Sequence, residues 1–221
     1  MSVIGGIFIG GISLLEPDGH RTGIIKHAVC AASITALGLD GDHQADRRFH
    51  GGPEKAVHHY AADNYPRLRA DYPRLARELV SGSLGENLST LDWTEHNVHV
   101  GDVFRIKRTI LQVSQPRSPC WKINHRFGAE DLSRRITAEC ITGWYYRVLA
   151  PGQISVGDTF ELIERESAPV SILRFWEIVL NHRPNVEDLE RLSSITALAG
   201  GWKKKLRERE AWLKRASSSI Q

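Results

Sequence analysis

Residues 112–128 read Gln-Val-Ser-Gln-Pro-Arg-Ser-Pro-Cys-Trp-Lys-Ile-Asn-His-Arg-Phe-Gly. They close a strand-like run over residues 103–113, which Pro116 stops abruptly. Pro119 fixes its own φ, removes an amide donor and biases Ser118 towards extended geometry. Cys120 is therefore expected on a stiff strand-end loop, with Arg117, Lys122, His125 and Arg126 close by. Nearby positive charge favours the thiolate, the form that attacks electrophiles and binds soft metals. A buried structural cysteine is the other reading of the same residues, because free cysteine is among the most buried residue types.

Outward from this stretch the chain is rich in short strand patterns. Residues 3–15, 22–29, 33–39, 98–113 and 144–149 are β-prone, and Glu16-Pro17-Asp18-Gly19 is a strong turn signal. The phrase Val100-Gly101-Asp102-Val103-Phe104-Arg105-Ile106 recurs as Val156-Gly157-Asp158-Thr159-Phe160-Glu161-Leu162. Each copy places Gly-Asp at a turn feeding an apolar-alternating strand. Many short strands with turn punctuation predict a closed or nearly closed β-barrel with inserted helices. One helix is expected over residues 54–80, broken at Pro66 and Pro73. It would put His58 and His59 on two sides, partly exposed.

After residue 164 the texture becomes helical. Ile172, Phe175, Trp176, Val179 and Leu180 follow an amphipathic i, i+3, i+4, i+7, i+8 stripe, and residues 185–195 and 199–216 continue in the same manner. The fold class is thus mostly β with α: a β-barrel domain over residues 1–164 and a three-helix module over 165–221, with the boundary near Arg165.

The 221 residues suffice for a sizeable core, and 41% apolar with 25% charged residues is ordinary for a globular protein. Residues 1–15 are apolar but lack the basic region and cleavage site of a signal peptide. No run approaches the ~20 apolar residues that span a bilayer. Cys30, Cys120 and Cys140 are odd in number and widely spaced, so neither a disulfide framework nor a zinc ribbon is indicated. Reduced thiols and a cytoplasmic location are expected, with Cys30 and Cys140 in the core. The net charge of +3 is uneven: residues 165–221 carry 11 basic and 7 acidic side chains. That run reads as a solvated helix face, not as a nucleic-acid footprint.

A second dense region is Gly41-Asp42-His43-Gln44-Ala45-Asp46-Arg47-Arg48-Phe49-His50-Gly51-Gly52. Asp42, His43, Asp46 and His50 have donor types that suit a divalent metal, although their spacing matches no compact motif. An ordinary polar turn capping the next helix accounts for the same residues. No Gly-x-x-x-x-Gly-Lys-Ser/Thr phosphate loop is present.

Several stretches together resemble the MOSC domain, found at the C-terminus of molybdenum cofactor sulfurases, and within it the stand-alone YiiM type. They are Ile25-Lys26, residues 38–46, His50-Gly51-Gly52 with Lys55-Ala56-Val57, Gly85-Glu86-Asn87-Leu88, and Gln115-Pro116-Arg117-Ser118-Pro119-Cys120. They stand in the family's order, and the helical tail resembles that type's three-helix extension. Glu54-Lys55 replaces the family's Asp-Arg and Leu84 replaces an aromatic, which leaves the substrate range open.

The resemblance implies a MOSC-type β-barrel and a site for the molybdenum cofactor (molybdopterin), with Cys120 binding molybdenum or carrying sulfur. It implies reduction of N-hydroxylated bases such as 6-hydroxylaminopurine. The electrons would come from a separate reductase, since no flavin, nicotinamide or iron–sulfur motif occurs here. Expected catalytic residues are Cys120, His50 and Asp46, the latter two as proton donors. Expected cofactor-binding residues are Lys26, His50, Gly51, Asn87, Arg117, Cys120, Lys122 and Arg126; Lys26, Arg117, Lys122 and Arg126 would neutralise the cofactor phosphate. Expected partners are a small-molecule substrate, the electron-donating reductase and a second copy of the chain, with no nucleic acid and no membrane. Two other readings stay open: a carrier with a Cys120 persulfide, and a metal-free thiol hydrolase with His50 or His125 as base.

Overall fold

Short strands of alternating polarity curl until the sheet meets itself in the computed structural model, which describes residues 2–46 and 50–218. The strands are β1 (Ser2–Ile9), β2 (Ser13–Leu15), β3 (His20–Thr22), β4 (His27–Val29), β5 (Ala31–Thr35), β6 (Gly38–Leu39), β7 (Val57–Ala61), β8 (Leu88–Thr90), β9 (Val103–Ile106), β10 (Thr109–Pro116), β11 (Trp144–Ala150), β12 (Gly152–Ser155) and β13 (Thr159–Glu164). The order β13-β9-β10-β11-β7-β8-β1 closes where Ser2 and Val3 pair with Phe160 and Thr159, giving a closed seven-stranded barrel. Closure leaves these strands no unpaired edge. Outside it, β4 extends β1, β12-β5-β6 form a small sheet, and β2–β3 form a hairpin.

The repeated phrase is one turn used twice. Gly101 and Gly157 have φ of 95° and 87°, the left-handed region that favours glycine. The carboxylates of Asp102 and Asp158 accept from the amides of His99 (2.8 Å) and Ser155 (2.7 Å). Each turn launches a barrel strand, and these two strands, β9 and β13, are neighbours.

Residues 54–80 are not one broken helix. Pro53–Lys55 is a 3-10 turn, residues 57–61 are β7, and helix α1 (Asn64–Asp71) precedes a second 3-10 turn, Pro73–Leu75. Every residue of β7 is buried, one face in the barrel and the other under helices, so the strand shows no polar alternation. His58 and His59 accordingly face opposite sides and are both buried. Pro66 sits in the first turn of α1, where a missing amide costs no intrahelical bond.

Two further helices, α2 (Trp121–Phe127) and α3 (Leu132–Ala138), pack with α1 around Tyr60, Tyr65, Leu68, Leu84, Ile123 and Ile136, forming a second core outside the barrel. The C-terminal helices are α4 (Ile172–Leu180), α5 (Val186–Ser194) and α6 (Gly200–Ser218), in the expected places. Their apolar faces join the barrel's own cluster: Phe104, Tyr146 and Phe160 are continuous with Phe175, Trp176, Leu189 and Leu206. Cys140 is buried as expected, but Cys30 is exposed at the β4–β5 junction. Among the described residues no helix is long and apolar enough to cross a membrane.

Candidate functional site

Strand β10 delivers the decisive stretch to the rim of the barrel. Its end is fixed by pairing of Pro116 with Trp144, and the Arg117 amide then donates to Gly143 O at 3.1 Å. Cys120 keeps extended backbone (φ −104°, ψ 149°) and opens α2 as its N-cap. Its side chain is half-buried, at the junction of two clefts.

The first cleft gathers Lys26, Asp46, His50, Asn87, Arg117, Cys120 and Lys122, which lie far apart in sequence. Lys55, His58 and Tyr145 also line it. Gly51 and Arg126 do not; the Arg126 guanidinium donates to Ile24 O at 2.7 Å. The second cleft shares Asp46, His50, Cys120 and Lys122 and extends to Trp121, Trp202 and Lys205, so α6 forms part of its wall.

Two of the expected ligands are engaged with the scaffold. Lys26, on the irregular segment before β4 and not within a strand, bonds both carboxylate oxygens of Asp42 at 2.6 Å, and the two side chains are 4% and 1% exposed. Burial pulls the Lys26 pKa down, and Asp42 opposes that effect. The Asn87 amide donates to Asp42 (2.8 Å) and to Phe8 O (3.2 Å), and its carbonyl accepts from the His58 amide (3.0 Å). Asp42 is thus committed to a buried ion pair, which takes it out of the metal set sketched with His43, Asp46 and His50. Glu86, fully buried, accepts from Tyr65 Oη (2.5 Å) and from the Gly82 and Leu84 amides, fixing the loop beside Asn87.

The cleft's other cations stand further along its wall. Arg117 is 6% exposed; its Nη2 donates to Leu84 O at 3.0 Å, while Nη1 is buried with no partner. Among the described residues no carboxylate pairs with it. His58 Nε2 is a second buried orphan on the same wall. A buried guanidinium with an unmet donor demands an acceptor, since an unsatisfied buried donor costs about 1–3 kcal/mol or more. Around it stand Lys55 and Lys122, the latter donating to Arg21 O at 2.6 Å. The pKa of His50 is lowered to about 4 by burial first, then by Arg117, Lys55 and Lys122, with Asp46 opposing. The arrangement fits an anionic ligand approached by a half-buried thiol and a neutral imidazole.

His125 lies elsewhere: its Nε2 is 2.8 Å from Asp18, away from the cleft lining. Of the two proposed bases for Cys120, His50 is the one that shares its cleft. Sequence reasoning missed Lys55, Tyr145 and His58 as lining residues. The signal for His58 was present, because adjacent residues of a strand face opposite sides.

A family model described as MOSC domain matches residues 46–161. Protein YiiM of Escherichia coli (strain K12) is 37% identical over 194 residues, covering 87% of this chain and 86% of that protein. The crystal structure of YiiM from Escherichia coli aligns with a TM-score of 0.80 at 31% identity, covering 96% of this chain and 93% of the other. A protein named Reductase, from Gibberella moniliformis, is 38% identical over 146 residues, which are 66% of this chain and 26% of that protein.

Proposed function

The chain belongs to the MOSC domain family and to its YiiM type, and from that premise we propose that it is a molybdenum-cofactor-dependent reductase of N-hydroxylated nucleobases or related small molecules. The reductase-named relative supports an oxidoreductase. The observation that carries the cofactor reading is the buried, unpartnered Nη1 of Arg117 on the wall that also holds Cys120.

Arg117, Lys55 and Lys122 hold the anionic parts of the cofactor, Arg117 through directed donors and the lysines as point charges. Cys120 offers the soft sulfur donor that molybdenum prefers. Lys26 and Asn87 act through Asp42 and the His58 amide, keeping the wall in place. When bound, the cofactor supplies the oxygen-atom and electron-pair chemistry.

His50 has a role that depends on occupancy. Cleaving an N–O bond consumes an electron pair and protons and releases water, so a proton donor is needed. Buried in the cleft, with Arg117, Lys55 and Lys122 nearby, His50 is neutral at pH 7. Burial, the largest cause of the depression, stays in place, while an anionic ligand offsets the contributions of Arg117, Lys55 and Lys122 and so raises the affinity of His50 for a proton. Asp46, on the same cleft wall, favours the protonated imidazole.

The electrons come from a separate reductase, for which the basic face of α6 is a suitable docking surface. Reduction of 6-hydroxylaminopurine by the cofactor-loaded protein with a chemical or enzymatic electron source tests this reading. Turnover should be abolished in Cys120→Ser; unchanged turnover in a metal-loaded variant excludes the role given to the thiol.

A further inference from the structure

Helix α2 and the β2–β3 hairpin meet along a seam whose histidines and Asp18 have no part in the proposed reaction. Lys122, His125 and Arg126 are spaced i, i+3 and i+4, so they share one face of α2. Lys122 donates to Arg21 O and Arg126 to Ile24 O, while His125 reaches Asp18 in the hairpin turn. His20, on β3, completes a group of three: Asp18, His20 and His125 each present a donor atom, all within 4.8 Å of one another.

The group is organised by packing. The His20 ring meets Trp121 edge-on at 4.9 Å and His125 at 5.6 Å, which packs the two imidazoles against each other and against the indole. His125 Nδ1 is buried with no protein partner, although Nε2 lies 2.8 Å from Asp18. One nitrogen of that ring is therefore left without a protein bond. Among the described residues no lysine or arginine pairs with the Asp18 carboxylate, so nothing cationic already fills the place.

We propose that Asp18, His20 and His125 form a binding site for a first-row divalent metal ion of the zinc class, which staples the hairpin to helix α2. Two imidazoles and a carboxylate are a donor set suited to zinc, cobalt or nickel, with water completing the coordination. The seam borders the first cleft: Thr22, Gly23 and Ile24 follow His20, and Cys120 and Lys122 belong to the helix side of the same wall. A bound ion stiffens that wall without touching the thiol. The proposal stands apart from the cofactor reading, since it involves none of the residues assigned there.

The test is titration of the untagged, metal-stripped full-length chain with cobalt(II), followed by competition with zinc. The expected result is one ion per chain and a cobalt spectrum without thiolate-to-metal charge transfer. His20→Ala and His125→Ala should each weaken binding by about tenfold or more, comparable to or beyond what loss of an outer partner costs. Asp18→Asn, at an exposed turn, checks the same loss where misfolding is not an issue. Zinc should also slow deuterium exchange of residues 16–22 in the unmodified chain and not in Asp18→Asn. Binding unchanged by all three substitutions, no binding at all, or a thiolate-type spectrum that disappears in Cys120→Ser overturns the proposal.

Discussion

At the scale of single residues, the cleft separates a paired cation that supports the wall, Lys26, from Arg117, whose Nη1 is buried without a partner. Lys26 and Asp42 are buried and paired, and removing one partner of a buried pair is expected to cost about 3–5 kcal/mol. Asp42→Ala should therefore lower the urea midpoint strongly; a shift within error would mean that solvent reaches Lys26. His50 makes a pH prediction with a definite sign. Its folded pKa is about 4 against an ordinary 6.5, so between those values the unfolded chain binds more protons. Stability is intact above pH 6.5 and falls as pH drops towards 4. His59, depressed to about 3 by burial in the barrel, adds to the slope over the same window and extends the loss further down. His50→Gln should reduce the slope of the pH 6.5–4 part of the profile, and an identical slope in the variant would contradict the assignment. Of the cofactor-binding residues expected from the sequence, Lys26, His50, Asn87, Arg117, Cys120 and Lys122 line one cleft, and Gly51 and Arg126 do not. It did not reveal that Lys26 and Asn87 are held by Asp42, because pairing across 16 and 45 positions leaves no local pattern.

At the scale of elements, legibility followed solvent. β9 and β13 keep exposed positions and the first half of β10 alternates, which made these strands readable, and α4 was readable by its stripe. β7 was not, because both its faces are covered, and a five-residue buried strand between proline turns carries no periodic signal. Capping gives an element-level test. Ser171 Oγ accepts from the Arg174 amide at 3.0 Å, so Ser171→Ala should destabilise α4 by about 1 kcal/mol, read as a lower thermal midpoint. No change would mean that water replaces the cap without cost. The 310-type turn at residues 53–55 depends on a longer reach: Arg147 pairs with Glu54 and donates to Ala197 O at 2.7 Å, which couples the turn carrying Lys55 to the approach of α6.

At the scale of the whole molecule, the barrel and the C-terminal helices share one apolar cluster, and Ala199 N donates to Ser114 O across the junction. Phe175 is fully buried in that cluster. Phe175→Ala should cost about 3–5 kcal/mol and lower a single cooperative transition, reported alike by barrel and helix probes. Two separated transitions would show that the helices fold on their own. The change of texture at residue 165 was legible, but continuity of the core across it was not, since it depends on contacts between distant segments. Through the same junction α6 reaches the second cleft beside Cys120, so Trp202 and Lys205 form part of its wall.

On the proposed function, the cleft around Arg117 and Cys120 holds a molybdenum–pterin group. The most direct measurement is molybdenum and pterin content of the anaerobically purified chain from a cofactor-competent host, beside Arg117→Met and Cys120→Ser. The account predicts near-stoichiometric cofactor in the unmodified chain, pterin and metal both lost in Arg117→Met, and molybdenum reduced in Cys120→Ser. Equal content in all three proteins, or none in any of them, would contradict it.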